Sequence, residues 1–352
     1  MSHRPPVRSS CRALLLAVTL LPGYPAGGTM AATDPAARAQ PVLQIYGDRD
    51  GLPHNTVSEI ALDREGRLWI GTHDGVATFD GRAWRTIELP QPHKTHRIRS
   101  LLPAYDGGLW IGTEAGGLVR WREEGAQSIE QVRVGAIDLP LNRVNALLEL
   151  ETPQGERELW AGTHAGGIFR RRGGEWHRYG TEEGLPTLQV WSLLATRGAA
   201  GAATIWAGTL RGLVRLEPDG NRFAPVPGAP EAPVVRLTAT RDDAGRPIVW
   251  AATFGQGLHR LQGTAWTRWT RTEGLPNDFV IALSPSRAPD GRSGVWVGTD
   301  GGGVARVSEG VDQVFDEQSG LSATAAVYAL LETTTADGVS ALWIGMRNGG
   351  LA

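Results

Sequence analysis

Cysteine and lysine are almost absent from this sequence of 352 residues. The only cysteine is Cys11 and the only lysine is Lys94. Cys11 lies in an N-terminal segment that we expect to be removed, so disulfide and thiol chemistry are excluded from the mature chain. The formal net charge is only −2, which excludes a global field that would attract nucleic acid or an anionic membrane.

Apolar runs are short, and none is long enough to span a bilayer. The run from Ala13 to Leu21 follows Arg4, Arg8 and Arg12 and precedes a stretch of small residues. This layout is typical of a secretory signal peptide. We therefore predict that residues 1–39 are a signal peptide and short linker, that residues 40–352 are the folded domain, and that the protein is periplasmic or secreted.

A strand-like segment centred on tryptophan occurs seven times, as in Leu68-Trp69-Ile70-Gly71-Thr72. Its tryptophans are 41, 50, 46, 44, 46 and 47 residues apart, a period that belongs to four-stranded propeller blades. They are Trp69, Trp110, Trp160, Trp206, Trp250, Trp296 and Trp343. The sequence predicts an all-β protein, a seven-bladed β-propeller of four-stranded antiparallel blades.

The alternation of side chains within this segment predicts how the blades pack. Trp69 and Gly71 share one face of the strand, so a large ring lies beside a position without a side chain. We interpret the tryptophans as core residues, with knob-and-hole packing between adjacent blades. Copy five has Ala252 in place of the glycine and copy seven has Met346 in place of the threonine.

The two ends of the repeat array complement each other. The strand-like segment Val42 to Tyr46 has no blade before it, whereas the seventh repeat stops inside its third strand at Ala352. We predict that the N-terminal strand, with Ile45 and Tyr46 buried, supplies the missing outer strand and closes the ring. The abrupt third strand also leads us to expect that the natural gene continues beyond this chain.

Gly-Leu-Pro turns between blades, as at Gly51-Leu52-Pro53, combine with segments such as Asp63 to Gly75 in a pattern that resembles the two-component regulator propeller repeat. The resemblance covers about residues 40 to 352. It implies an extracytoplasmic sensor that binds a small-molecule or oligosaccharide ligand. It also implies a membrane-bound histidine kinase or diguanylate cyclase module, either on a part missing from this chain or on a partner in trans.

No residue constellation in the sequence indicates catalysis, a metal or a cofactor. The mature chain has no cysteine and no Gly-x-Ser-x-Gly motif for a nucleophile. His93 and His96 are the only close histidine pair, and no third ligand is near them in the sequence. We expect a non-catalytic protein, and two alternatives stay open: a carbohydrate lyase or sialidase-like enzyme, and a protein-interaction scaffold.

Register along the repeats predicts a ligand site at the rim of the central channel. Turns between second and third strands share a propeller face with the connections between blades. Blades one to three bring a polar, cationic cluster to this rim, suited to an anionic or polyhydroxylated ligand. The candidate ligand-binding residues are His73, Arg97, Glu114, Arg143, His164, Asn55, Asp278 and Asp300.

Overall fold

The structure is a computed structural model, and its described residues are 43–89, 97–123, 129–132, 143–152, 154–198, 201–288, 291–322, 324–334 and 340–352. The predicted signal peptide and linker, the pair His93 and His96, and Lys94 lie outside these ranges. Within them the strands form seven antiparallel sheets, six of four strands and one of three. The predicted seven-bladed propeller is confirmed.

Each sheet is one blade, and its strands follow one another in chain order. The first strands are β1 (Val57–Leu62), β5 (Ile98–Pro103), β9 (Val144–Glu151), β13 (Val190–Arg197), β17 (Val234–Arg241), β21 (Val280–Arg287) and β25 (Val327–Thr334). The second strands are β2 (Leu68–Thr72), β6 (Leu109–Thr113), β10 (Arg157–Thr163), β14 (Ala203–Thr209), β18 (Pro247–Thr253), β22 (Ser293–Thr299) and β26 (Ser340–Met346).

The outer half of each blade is shorter. The third strands are β3 (Gly75–Phe79), β7 (Leu118–Trp121), β11 (Ile168–Arg172), β15 (Gly212–Leu216), β19 (Leu258–Gln262), β23 (Val304–Val307) and β27 (Gly350–Leu351). The fourth strands are β4 (Trp84–Ile87), β8 (Ile129–Val132), β12 (Glu175–Tyr179), β16 (Phe223–Pro225), β20 (Ala265–Trp269) and β24 (Val311–Phe315). Three 3₁₀ turns, Asp48–Asp50, Arg271–Glu273 and Glu317–Ser319, precede blades one, six and seven.

The first strands form the inner ring. Each contacts the first strand of the next blade, and β25 contacts β1 to complete the circle. A β-carbon added to Gly71 would lie 2.6 Å from Cγ2 of Ile98, the first residue of β5. The same contact recurs at the last seam, where a β-carbon on Gly345 would lie 2.6 Å from Cγ1 of Val57. The glycine is therefore the hole, and a β-branched residue of the next blade is the knob.

The repeated tryptophans are core residues, as predicted. Six are at most 8% exposed, and Trp343 of the three-stranded blade is half-buried. The knobs, however, are the β-branched residues that open each first strand, such as Val57 and Ile98, which are fully buried. Sequence alternation could not show this, because it does not reveal which residue of the neighbouring blade faces the glycine.

The N-terminal segment closes the ring at Tyr46. Tyr46 and Leu351 exchange backbone hydrogen bonds of 2.8 and 3.0 Å, an isolated bridge rather than a full strand. The Tyr46 ring contacts Phe79 and Trp84 of blade one at 5.9 and 5.5 Å, and Trp343 of blade seven at 6.4 Å. Tyr46 is only partly buried, and the expectation that Ile45 is buried is wrong, because Ile45 is 57% exposed.

Gly-Leu-Pro turns between blades have the expected structure. Gly51 adopts φ 108°, a left-handed conformation that only glycine takes at little cost, and it ends the turn Asp48–Asp50. Leu52 then turns into the core, where it is 3% exposed. The turn thereby delivers the chain to the start of β1 with its knob residue facing the neighbouring blade.

Candidate functional site

One residue per first strand faces the central channel because each strand carries the same irregularity. In β1 the pairing with β2 shifts register between Val57 and Glu59, and this shift recurs in all seven first strands. The residues at the shift are Ser58, Arg99, Asn145, Trp191, Val235, Ile281 and Tyr328. All seven line a single cavity of about 450 Å³.

Loops at one end of the channel form the rim of this cavity. The residue after each second strand donates its backbone N–H to a carbonyl just before the first strand of the same blade, as His73 does to Thr56 at 3.1 Å. Glu114 bonds Arg97, and His164 bonds Arg143, in the same way at 2.9 and 3.0 Å. The two sets of loops therefore lie on the same face, as the register predicted.

Glu114 is the centre of a cluster of arginines. Its carboxylate accepts hydrogen bonds from Arg99 at 2.9 Å and Arg143 at 2.8 Å, and Arg97 lies 3.8 Å away. Burial works against ionisation, but the charges of Arg99 and Arg143 prevail and hold the pKa of Glu114 below its usual value. Three cations around one carboxylate leave a local excess of positive charge that an anionic ligand could neutralise.

The two predicted rim histidines are neutral at pH 7. Burial, assisted by the positive charge of Arg97, lowers the pKa of His73 to about 4. Burial and Arg143 likewise lower the pKa of His164. The rings of His73 and His164 lie 6.5 Å from Tyr328 and 5.7 Å from Trp191, respectively. The positive charge of the rim therefore comes from arginine, and the histidines contribute ring surface and neutral hydrogen-bonding nitrogens.

Three predicted site residues lie apart from this cluster. Asn55 Oδ1 accepts the N–H of Asp48 at 2.8 Å, and Asp278 Oδ1 accepts the N–H of Arg271 at 2.8 Å, so both side chains stabilise turns between blades. Asp300 lies 3.9 Å from Arg347 at the rim of blades six and seven. Of the eight predicted residues only His73 and Arg97 line the cavity, while Glu114, Arg143 and His164 support its wall.

Sequence reasoning missed most of the wall itself. Arg99, Asn145, Trp191 and Tyr328 all lie one residue after the knob of a first strand. Aligning the seven repeats on the knob would have found this channel position in every blade. Our prediction looked only at the loops on either side of these strands and therefore placed the site at the rim rather than in the cavity.

An ion pair between Arg236 and Glu59 forms one side of the cavity, which we call its floor. Arg236, the residue after the channel position of β17, reaches across to Glu59 of β1 with a distance of 3.0 Å between Nη2 and Oε2. The side chains are 26% and 14% exposed. Burial raises the pKa of Glu59 even though Arg236 opposes this. Blades one and five are thus tied together through the channel.

The wall of the cavity has two unlike halves. Blades one to three supply Ser58, His73, Arg97, Arg99 and Asn145. Blades four to seven supply the larger, mainly apolar and aromatic part, together with the floor residue Arg236: Trp191, Leu210, Pro233, Val235, Phe254, Ile281 and Tyr328. The cavity can therefore hold a molecule with a negatively charged end and an apolar body.

Several wall side chains carry a polar atom without a hydrogen-bond partner. Within the described ranges these atoms include Arg99 Nε, Asn145 Oδ1 and Trp191 Nε1. Asn145 is 6% exposed, and its Nδ2 donates to the Val190 carbonyl at 2.9 Å. A buried polar atom left unpaired costs about 1–3 kcal/mol, so side-chain adjustment to a ligand that pairs these atoms would be favourable.

In the part of the chain that the structure describes, no three His, Cys, Asp or Glu side chains are grouped to hold a metal ion. Nor do those residues include a helix with the length and apolar character needed to cross a bilayer. Among the described residues that line the cavity, the charged side chains are those of Arg97, Arg99 and Arg236.

Comparison with known families gives a match at the first blade. Residues 51–74, from the Gly-Leu-Pro turn through β2, match the model of the two component regulator propeller. This segment is therefore similar to one two component regulator propeller repeat. The resemblance identified from the sequence motifs is thus confirmed. A search of the curated proteins found no match to this sequence.

Solved structures share the propeller fold. The extracellular domain of BT3049 from B. thetaiotaomicron, assigned as a hybrid two component system, is 21% identical with a TM-score of 0.67; the match covers 88% of this chain and 41% of that one. The extracellular domain of BT4673 from the same organism is 20% identical with a TM-score of 0.65, covering 87% and 39%. This propeller therefore spans about two fifths of the length of those domains.

A lyase also shares the fold. Virginiamycin B lyase from Staphylococcus aureus is 17% identical with a TM-score of 0.61, and the match covers 84% of this chain and 94% of the lyase. Identities this low show the architecture alone, since one propeller scaffold supports binding proteins and enzymes alike. Function must be argued from the cavity.

Proposed function

We propose that this propeller is the ligand-binding part of an extracytoplasmic sensor of the two-component type and that its ligand occupies the central cavity. The observation that carries the proposal is the cluster of Arg97, Arg99 and Arg143 around Glu114 at the mouth of a cavity of about 450 Å³. That volume lies within the range of small-molecule sites, roughly 300–1,000 Å³. The repeat family and the extracellular neighbours support the same role.

We also propose where the protein acts and how ligand binding is transmitted. The protein acts in the periplasm or after secretion, directed there by residues 1–39. Ligand binding is transmitted by a membrane-bound histidine kinase or diguanylate cyclase module, carried on a further part of the chain or on a partner. The extracellular domains of BT3049 and BT4673, which are longer than this propeller, provide the precedent for additional domains.

The proposal also holds that the cavity binds without catalysis. Ser58 of β1 supplies an aliphatic hydroxyl group to the cavity wall, and its Oγ donates toward backbone carbonyls, 2.6 Å from Ile98 O and 3.1 Å from Gly71 O. These contacts satisfy the hydroxyl and do not activate it, because activation requires a base in hydrogen-bond reach. One experiment can distinguish this binding function from the two alternatives, an enzyme and an interaction scaffold.

The experiment is a thermal-shift screen of the purified protein against a broad small-molecule and oligosaccharide library. We expect at least one compound to raise the melting temperature and to be recovered unchanged after long incubation. The double variant Arg97→Ala/Arg143→Ala should lose this response, whereas Arg85→Ala, which removes an exposed arginine of β4, should keep it. Chemical conversion of the compound would identify an enzyme. No response to any compound, with capture of a partner protein instead, would identify a scaffold.

A further inference from the structure

The two halves of the cavity wall differ enough to select a class of ligand. On the polar side, Arg99 is held by Glu114, and burial lowers its pKa from the usual arginine value, a sign of a weakly solvated guanidinium. On the opposite side, the aromatic residues Trp191, Phe254 and Tyr328 line the cavity. A cation of this kind favours a carboxylate, and the aromatic side favours a flat apolar body.

We propose that the cavity binds a small aromatic carboxylate, an inference that rests on the sensor function proposed above. Its carboxylate pairs with Arg97 and Arg99, because the single negative charge of Glu114 cannot neutralise both arginines. Its ring lies against Trp191 and the apolar wall. Arg236 is already engaged by Glu59, so the free positive charge is concentrated at one end of the cavity and orients the ligand.

An apolar body fits this wall better than a ring of hydroxyl groups. Pro233, Val235 and Ile281 offer no hydrogen-bonding side chain, and Leu210 and Phe254 extend the same surface. Each hydroxyl group buried against them without a partner would cost about 1–3 kcal/mol, whereas each buried apolar carbon contributes favourably. A sugar could stack on the aromatic rings of this half of the wall, but most of its hydroxyl groups would have no hydrogen-bond partner there.

The test compares three probes by isothermal titration calorimetry. Phenylacetate carries both features, phenylacetamide keeps the ring but is neutral, and acetate keeps the charge without the ring. We expect saturable binding of phenylacetate and at least about 10-fold weaker binding of each of the other two. Arg99→Ala and Trp191→Ala should each weaken phenylacetate binding by about 10-fold or more, with Trp191→Phe restoring most of the loss and Arg85→Ala causing none.

The outcomes separate this inference from the sensor function. If glucuronate or a neutral disaccharide binds in the cavity more tightly than phenylacetate, the ligand class is wrong and the sensor function stands. Equal affinity for phenylacetate and phenylacetamide would also overturn the inference, because it would show that the arginines do not select charge. If neither these probes nor any compound of the library binds, the sensor function fails with it. A melting temperature measured for each variant identifies effects caused by misfolding.

Discussion

Arg236 and Glu59 form an ion pair across the central channel, although 177 residues separate them in the chain. Their blades, five and one, are not neighbours in the ring. Glu59 is 14% exposed, and burial raises the pKa of its carboxyl group despite the partner. The pair is therefore costly to bury, and each member depends on the other.

Replacing Arg236 by leucine should destabilise the protein by about 3–5 kcal/mol, because it leaves a buried carboxylate without its partner. The pKa of Glu59 should then rise further. A carboxyl group with a raised folded-state pKa binds more protons folded than unfolded, so stability falls as pH rises above the unfolded value. Urea unfolding at pH 5 and pH 8 should show the larger loss at pH 8.

The double variant Arg236→Leu/Glu59→Leu is the matched control. It removes both charges and should recover most of the lost stability. A double variant as unstable as Arg236→Leu alone would show that packing, and not the unpaired charge, explains the loss.

Tyr46→Ala should cost about 2–3 kcal/mol of unfolding free energy, less than for a fully buried aromatic residue because Tyr46 is only partly buried. The ring joins Phe79 and Trp84 of blade one to Trp343 of blade seven, so the substitution opens the seam that closes the propeller. Ile45→Ala, one residue earlier, changes an exposed side chain and should stay within about 0.5 kcal/mol. Equal effects of the two substitutions in chemical denaturation would contradict closure by Tyr46.

Gly345→Ala should destabilise the same seam by about 1–3 kcal/mol, because its β-carbon would lie 2.6 Å from Val57 Cγ1. Gly310→Ala is the control, since a β-carbon there meets no atom within 4 Å. Blade five already has Ala252 at the equivalent position, fully buried beside Val280. Unfolding midpoints that do not separate Gly345→Ala from Gly310→Ala would show that the seam can widen freely.

Much of the fold was predictable because the repeat has two periods, the spacing of the tryptophans along the chain and the alternation of side chains within each strand. The tryptophan spacing gave the number of blades, and alternation within each segment gave the buried face. What alternation could not give was the partner of each glycine in the next blade, such as Ile98 for Gly71. Nor could it give the length of the closing strand, because one bridge at Tyr46 with good aromatic packing serves in place of a full ladder.

The site was less predictable than the fold. Arg97, Glu114 and Arg143 were found because loop positions follow from register. Arg99 and Trp191 were missed because their exposure to the channel depends on a local register shift that no strand pattern announces. The pair of Arg236 and Glu59 depends on the diameter of the closed ring, which a sequence read blade by blade does not contain.

His259 should make stability depend on pH. Burial is the main reason that its pKa falls to about 4, and the ring is 7% exposed. A histidine whose folded-state pKa is lowered favours folding fully above the unfolded value of about 6.5, and this contribution is lost as pH falls toward 4. The loss amounts to about 3 kcal/mol, at roughly 1.4 kcal/mol per pKa unit.

His259→Gln should flatten the pH dependence of the unfolding free energy between pH 7 and pH 4, since glutamine does not titrate. His177→Gln, at an exposed position of β12, should leave the slope as it is in the parent. Parallel curves for the parent and His259→Gln would mean that other groups control acid unfolding.

The central claim is that a ligand occupies the channel between the arginines of blades one to three and the aromatic wall of blades four to seven. Its most direct test is a crystal structure of the protein with a compound identified by the thermal-shift screen. The account predicts electron density in the cavity, with the compound in contact with Arg99 and Trp191. Density confined to the separate depression among Tyr105, Glu151 and Arg197 would contradict it.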